Sequence, residues 1–391
     1  MYPRFSDMVN FLFGTSFNLP VQTYGFFMAL AFVLAGFLVY LELKRKENDG
    51  LILIQLKETI KGKPASLKEL LFTALLYAVF GFKITGIVID YQFFAESPQK
   101  YILSAEGSFI GGFVFFASAA ILVYIKGQKE KLAEPVVSFN EVHAYQLTPG
   151  LVFIAAFAGI LGAKIFDIIE HLDDFFLDPV GQLFAFSGLT FYGGLIVAAF
   201  AVGIYGERNK IKWPVMADAV APALMLAYAI GRVGCQLSGD GCWGVPNLSP
   251  KPGWMAFLPD WMWAFSFPHN VINHGVRIPD CDGNFCFALA QPVFPTSFYE
   301  IVICFLFFLF LWFIRKRLRI AGILFSVYLI LNGFERFVIE QVRVNIKYNA
   351  FSFQITQAEI VALILIFGGI FGLVYFSYQN RKLVHKNVEN N

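Results

Sequence analysis

Arg232 stands near the end of an apolar run that begins at about Trp213, within Ala227-Tyr-Ala-Ile-Gly-Arg-Val-Gly-Cys-Gln-Leu-Ser-Gly-Asp-Gly-Cys-Trp-Gly244. A guanidinium at the edge of hydrocarbon is costly unless it has a partner or a ligand, so it is a functional candidate by default. Its planar fork of donors suits a lipid phosphate. Gly231, Gly234, Gly239, Gly241 and Gly244 clear side chains from the stretch, so a ligand or another backbone can come close. The plainer alternative for Arg232 is a structural ion pair with Asp240, eight residues on.

A second polar set lies farther along. Asn332, Arg336, Glu340 and Arg343 are spaced by four, four and three, which puts them on one face of a helix. Glu335 falls off that stripe. An intrahelical Arg336–Glu340 pair is the modest reading, worth little in water. In lipid the stripe must still face a polar interior, so it is expected to meet Arg232. Phe294-Pro-Thr-Ser-Phe-Tyr-Glu300 opens another apolar run, and Glu300 needs a cationic partner that Arg232 or Arg336 can supply. Tyr299 precedes it. Tyr192-Gly193-Gly194 is read equally well as a substrate contact or as close packing by small residues. Tyr24-Gly25 opens the first span, where a tyrosine is most often an interfacial belt residue. Lys83 and Lys164 lie deeper, snorkelling or locally paired (Lys164 with Asp167), and stay outside the catalytic set.

These residues need apolar helices to hold them. The 391-residue chain is 57% hydrophobic and 15% charged, with mean hydropathy +0.62. A soluble chain of this length carries far more charge. Runs of about 20 apolar residues match the thickness of a bilayer. The reading is an all-α polytopic membrane protein of about nine spans, near 21–43, 70–91, 107–125, 149–170, 188–206, 213–236, 296–314, 320–340 and 356–378. Twenty Lys and Arg fall in one set of loops and six in the other; only Lys83, Lys164, Arg232 and Arg336 fall inside spans. That bias places the N-terminus outside and the C-terminus in the cytoplasm. The first apolar segment ends in Lys44-Arg45-Lys46 without a small-residue cleavage site, so it is expected to stay as a span. No feature points to nucleic acid.

The loop 241–295 holds Trp243, Trp254, Trp261 and Trp263 among prolines and glycines, and reads as a small extracytoplasmic cap inserted in a single membrane domain. Cys281 and Cys286 in it are equally consistent with a disulfide or two free thiols. Cys235, Cys242 and Cys304 show no metal-ligand spacing, and neither metal nor cofactor is expected. An internal echo joins two segments: Gly81-Phe-Lys-Ile84, Glu106-Gly-Ser-Phe-Ile-Gly-Gly-Phe113 and Tyr124 resemble Gly162-Ala-Lys-Ile165, Gly188-Leu-Thr-Phe-Tyr-Gly-Gly-Leu195 and Tyr205. Residues 70–125 then form a helix pair duplicated from 149–206, with chance likeness between apolar segments as the competing explanation.

The strong candidates share one depth, the outer leaflet. This favours a site acting on an outward-facing phospholipid headgroup over an ion channel, which spreads polar residues through the full thickness. The residues also resemble a known family. Tyr24-Gly25, Tyr192-Gly193-Gly194-Leu195, Ala217-Asp218, Ala221-Pro222, Gly231-Arg232-Val-Gly234 with Gly239 to Gly244, Pro295-Thr296 with Tyr299-Glu300, and Arg336 with Glu340 occur in the order of the prolipoprotein diacylglyceryl transferases.

The resemblance implies a bacterial inner-membrane enzyme with a seven-span core, here with 70–125 as an extra pair. It would move the diacylglyceryl group of phosphatidylglycerol to the lipobox cysteine thiol of a prolipoprotein, forming a thioether and releasing glycerol phosphate. It implies Arg232 as the holder of the lipid phosphate, with Asp240, Arg336, Glu340 and Tyr192 as the other catalytic positions. Tyr24, Gly193, Gly194, Gly231, Gly234, Gly244, Tyr299, Glu300 and Arg343 would contact substrate. The chain departs from the family pattern at Tyr192, Cys235 and Asn332, where many members have His, Asn and Tyr, and the stretch before Gly244 is one residue longer. An unperturbed tyrosine is a poor base for a thiol. Asp240 or Glu340 is left to take the proton, and His269 and His274 are the only histidines that merit a test. A non-catalytic phospholipid binder or transporter, and a transferase with another acceptor, are the alternatives.

Overall fold

The computed structural model describes residues 1–61, 66–96, 98–132, 136–184, 190–343, 347–350 and 353–389. Gly188 and Leu189 of the echo, and Lys63 of the loop tally, lie outside them. The chain forms α1 (Phe5–Phe13), α2 (Thr23–Asn48), α3 (Leu67–Ile89), α4 (Phe109–Lys129), α5 (Thr148–Glu170), α6 (Phe191–Arg208), α7 (Trp213–Ser238), α8 (Thr296–Ile314), α9 (Ile323–Glu340) and α10 (Gln357–Glu389). Three two-stranded antiparallel ribbons accompany them: β1 (Gln55–Lys61) with β2 (Val136–Val142), β3 (Val276–Arg277) with β4 (Phe287–Ala288), and β5 (Lys347–Ala350) with β6 (Phe353–Thr356). Among the described residues, seven helical stretches are long and apolar enough to cross a membrane: α2, α3, α4, α5 with the turn before it, α7, α8 and the first 26 residues of α10. The protein is an all-α polytopic membrane protein. The other two expected spans are also helices. α6 ends on Glu207 and Arg208, and α9 carries Glu335, Arg336 and Glu340, so neither is uniformly apolar.

The chain divides into two compact units. One comprises residues 1–52, 144–163 and 191–391. Its centre is α7, which packs against α2, α8 and α9, while α9 packs along α10. α7 is the most buried of the spans, with more than half of its apolar window enclosed. Small residues make this possible. A Cβ on Gly234 would lie 3.1 Å from Phe27 Cβ and 3.2 Å from the Tyr24 backbone, so the glycine sets the α2–α7 approach. A Cβ on Gly333 would meet the Ala362 carbonyl at 2.6 Å, which does the same for α9 and α10.

At the end of α7 away from Arg232, Asp218 is 1% exposed and accepts hydrogen bonds from the Gly322 and Phe325 N–H groups at 2.9 and 2.8 Å. It thus caps α9 from outside, where a carboxylate also complements the helix dipole. Lys46, 3% exposed, pairs with it at 3.7 Å. Nearby, Glu42 joins Arg45 and Arg315, both at 2.8 Å. The Ala217-Asp218 pair, which stands out in the sequence only through the resemblance, therefore has a structural role.

The loop 241–295 is ordered by a small apolar core of Phe267, Leu289 and Val293, with Met1, Trp243 and Phe265 packed on it. Buried Asn270 donates to three carbonyls and accepts from the His274 N–H. A Cys281–Cys286 disulfide closes the β3–β4 ribbon. The N-terminal ammonium donates to the Pro268 carbonyl at 2.9 Å.

The second unit comprises residues 53–143 and 164–190, and holds the α3–α4 pair and the β1–β2 ribbon. Lys83 donates to the carbonyls of Tyr101, Ser104 and Glu106 at 2.6–2.9 Å, a local structural use of the charge. The helix pairs α3–α4 and α5–α6 share their contacts. A Cβ on Gly81 would meet the Gly111 carbonyl at 2.7 Å, and one on Gly162 would meet the Gly193 carbonyl at 2.6 Å. Likewise Gly112 faces the Ala78 carbonyl at 3.2 Å and Gly194 faces the Gly159 carbonyl at 2.8 Å. Equivalent glycines in the sequence echo thus touch equivalent backbone atoms.

Candidate active site

Glu300 is the hub of the site. It sits in the second turn of α8 and is fully buried. A buried carboxylate persists only with compensating charge. Arg232 from α7 places Nε 2.9 Å from Glu300 Oε2. Arg336 from α9 lies 3.8 Å from Glu300 Oε1, and Arg343, just past α9, lies 3.6 Å from the same atom. Arg336 also reaches Glu340 at 3.6 Å, one helical turn on. Three guanidiniums from two regions of the chain therefore converge on one carboxylate. The expected meeting of the α9 stripe with Arg232 occurs, through Glu300.

Tyr228, one turn before Arg232 on α7, completes the hub. Its hydroxyl accepts from Arg232 Nη2 and donates to Glu300 Oε1, both at 3.3 Å. Glu335 is 1% exposed and lies within electrostatic reach of Tyr228, Glu300 and Arg232. The four-four-three stripe missed both residues. Spacing of four before Arg232 was the available signal for Tyr228, and a carboxylate inside an apolar helix was the signal for Glu335. Asn332 is half-buried on α9. Tyr192, at the start of α6, lies within electrostatic range of Arg336.

The glycines act mainly on the backbone. Gly244 pairs with Arg343 in an isolated bridge, and a Cβ there would lie 2.5 Å from the Val342 carbonyl and 2.9 Å from Phe294 Cβ. Its smallness lets the loop after α7 lie against the end of α9, which carries Arg343 to Glu300. A Cβ on Gly231 would stand 3.6 Å from Met28 Sδ, an ordinary contact distance. Gly193 and Gly194 pack on α5, so their geometry is that of close helix contact. The Tyr299 hydroxyl donates to the Met262 carbonyl at 2.9 Å and ties α8 to the loop 241–295. Tyr24 lies in the α2–α7 seam and is 39% exposed.

Asp240 makes no ion pair with Arg232 among the described residues, so the structural pairing weighed from sequence does not form. Asp240 instead accepts from the Cys242 N–H at 3.1 Å. Its carboxylate, Cys235 Sγ and Cys242 Sγ all lie within 4.8 Å of one another, although the sequence spacing suggested no such set. The Cys235 thiol donates to Cys242, which holds the Cys242 thiol below its ordinary pKa. Arg232 Nη1 lies 4.0 Å from Cys235 Sγ, joining this cluster to the arginine hub. Tyr24 is within electrostatic reach of both cysteines, Asp240 and Arg232. His269 is engaged with the Phe285 carbonyl and His274 packs against Trp243, both within the loop 241–295. Neither contacts the arginine hub among the described residues.

Residues 130–375 match the family described as prolipoprotein diacylglyceryl transferase. The chain is 31% identical over 229 residues to the phosphatidylglycerol–prolipoprotein diacylglyceryl transferase of Dehalococcoides mccartyi, covering 59% of this chain and 75% of that one. It is 28% identical over 221 residues to that of Leptospira interrogans, with 50% and 61% covered. The Clostridium tetani protein is 27% identical over 256 residues, with 65% and 86% covered. The matched region contains the whole arginine hub, whereas Tyr24, α3 and α4 precede it. With α7, α8 and α9 carrying these polar residues inside the matched stretch, the chain belongs to the prolipoprotein diacylglyceryl transferase family.

Proposed function

We propose that the protein transfers the diacylglyceryl group of phosphatidylglycerol to the lipobox cysteine thiol of a prolipoprotein, the first step of lipoprotein maturation. The observation that carries the reading is the convergence of Arg232, Arg336 and Arg343 on Glu300. The Arg336 and Arg343 contacts, at 3.8 and 3.6 Å, are longer than hydrogen bonds. These guanidiniums therefore retain N–H donors for a phosphate. In the reaction the thiolate sulfur forms a bond to the glycerol carbon, and the carbon–oxygen bond to phosphate breaks. Glycerol phosphate departs with the electron pair and gains negative charge. Preorganised guanidiniums around that oxygen stabilise the charge as it develops. Glu300 fixes Arg232 through Nε, and Tyr228 fixes it through Nη2, leaving Nη1 turned towards Cys235 as the direction of approach.

In this reading Arg232 holds the lipid phosphate, and Arg336 with Glu340 forms the second polar patch through which lipid or product passes. Tyr192 donates a hydrogen bond near Arg336 rather than acting as the base. The Lys and Arg bias supports an N-terminus and 241–295 loop outside, with the C-terminus in the cytoplasm. The matching glycine contacts of α3–α4 and α5–α6 support a tandem duplication, with α3–α4 an addition to the family core.

The test combines purified protein in detergent, phosphatidylglycerol and a lipobox peptide, with mass spectrometry of the peptide. A mass gain of one diacylglyceryl group, lost in Arg232→Ala, is expected. Folded protein that binds the lipid without modifying the peptide would instead establish a binder or a transferase with another acceptor.

A further inference from the structure

The thiol that receives the lipid must lose its proton. Among the described residues, Glu300 and Glu340 of the arginine hub are already paired with guanidiniums. The structure offers a different means one step away. Cys235 closes the last turn of α7, and the chain then turns twice, at Gly239 (φ 66°) and Gly241 (φ 94°). Side chains rarely adopt such backbone angles. The two turns fold Asp240 and Cys242 back over Cys235, so that two sulfurs and a carboxylate oxygen lie within 4.8 Å of one another. The arrangement is held in place. The Cys242 carbonyl accepts from Thr296 Oγ1 at 2.9 Å and Ser297 Oγ at 2.7 Å, both in the first turn of α8.

We propose that Cys235, Asp240 and Cys242 hold a thiophilic divalent cation, zinc by ligand type, whose fourth position takes the acceptor thiol. Two thiolates and one carboxylate select zinc over magnesium or calcium. Tetrahedral zinc, with bonds of about 2.3 Å to sulfur and about 2.0 Å to oxygen, places its donors roughly 3.5–3.8 Å apart. The side chains must close by about 1 Å to meet that geometry. Three protein ligands with one open position is the pattern of a reactive rather than a structural zinc site. Cys235 is buried, whereas Asp240 and Cys242 are half-buried, so the cluster is reachable from the side of the loop after α7. Charge also balances. Three anionic ligands and one dication leave a single negative charge, beside which Arg232 Nη1 lies 4.0 Å from Cys235 Sγ.

The identity of the fourth ligand rests on the transferase reading; the cation site itself does not. A thiol bound to such a cation is deprotonated outright, its proton passing to water. The bound sulfur then forms the bond to the glycerol carbon as the carbon–oxygen bond to phosphate breaks. No imidazole at position 192 is required.

The experiment uses the full chain in detergent under thiol-reducing conditions. The protein is stripped with a chelator and titrated with Co²⁺ as a spectroscopic probe. One Co²⁺ per chain is expected, with a thiolate-to-cobalt charge-transfer band that weakens in Cys235→Ser and in Cys242→Ser and is lost in the double variant. Asp240→Asn keeps both thiols and should keep the band while weakening affinity at least about tenfold, which covers the case of a serine variant that misfolds. A lipobox peptide should strengthen the band, and its Cys-to-Ser version should not. Absence of stoichiometric binding, an unchanged band in the double serine variant, or a Cys235–Cys242 disulfide found by peptide mapping overturns the proposal. Lipid transfer that survives complete stripping overturns it while leaving the transferase reading intact. Cobalt binding with a peptide response but no lipid transfer supports the site and counts against the transferase reading.

Discussion

Arg232→Lys separates charge from geometry at the hub. Lysine keeps the positive charge but not the planar fork. In the parent, Nε holds Glu300 at 2.9 Å while Nη2 holds the Tyr228 hydroxyl at 3.3 Å, leaving Nη1 for a ligand. One ammonium on a flexible stem cannot reproduce three directions at once. Two hydrogen bonds to charged groups are worth about 1.5–3 kcal/mol each. Because the charge survives, the lower bound of about 3 kcal/mol applies, which is about a hundredfold in rate. The assay is the initial rate of diacylglyceryl addition to a lipobox peptide by mass spectrometry, at saturating phosphatidylglycerol. Thermal unfolding in detergent is followed in parallel to separate loss of fold from loss of function. A rate within about threefold of the parent, in protein of equal stability, would refute the claim that the orientation of Arg232 matters. An equal loss in Lys and Ala variants would show that orientation accounts for the whole effect.

Other substitutions probe the surrounding parts. Arg336→Ala removes a guanidinium that faces both Glu300 and Glu340, and should slow transfer at least about a hundredfold, as expected for a charge-assisted contact in a desolvated site; an unchanged rate removes Arg336 from the site. Tyr192→Phe should lower the rate about tenfold if the hydroxyl donates near Arg336, and a parental rate would make position 192 a packing position. Gly244→Ala forces a Cβ towards the Val342 carbonyl at 2.5 Å, and thermal unfolding should register a loss of about 1–3 kcal/mol. Asp218→Ala strands Lys46, which is 3% exposed, and uncaps α9; the expected loss is about 3–5 kcal/mol, and unaltered thermal stability would dismiss the capping role.

Much of this protein was legible from residue order alone. Membrane-spanning helices announce themselves because every backbone polar group must be satisfied within the segment, so the apolar run has to be long and continuous. Charges inside such runs stand out for the same reason, which is why Arg232, Glu300, Arg336 and Glu340 were identifiable before any helix was placed. At Gly193 and Gly194 the residue types left substrate contact and close helix packing equally open, and only the structure shows the packing against α5, where a Cβ on Gly194 would meet the Gly159 carbonyl at 2.8 Å.

Tertiary structure decided which charges meet. Glu300 was offered two possible partners and takes three, because α8 inserts its second turn between the end of α7 and the end of α9. Asp240 was the alternative partner weighed for Arg232 and is instead turned to the cysteines, because the positive φ angles at Gly239 and Gly241 reverse the chain on either side of it. Cys235 and Cys242, seven residues apart, gave no ligand spacing on a helix or a strand. Their sulfurs meet only because a helix ends and a loop folds back between them, and the pairing that results depends on backbone angles that residue types permit but do not prescribe.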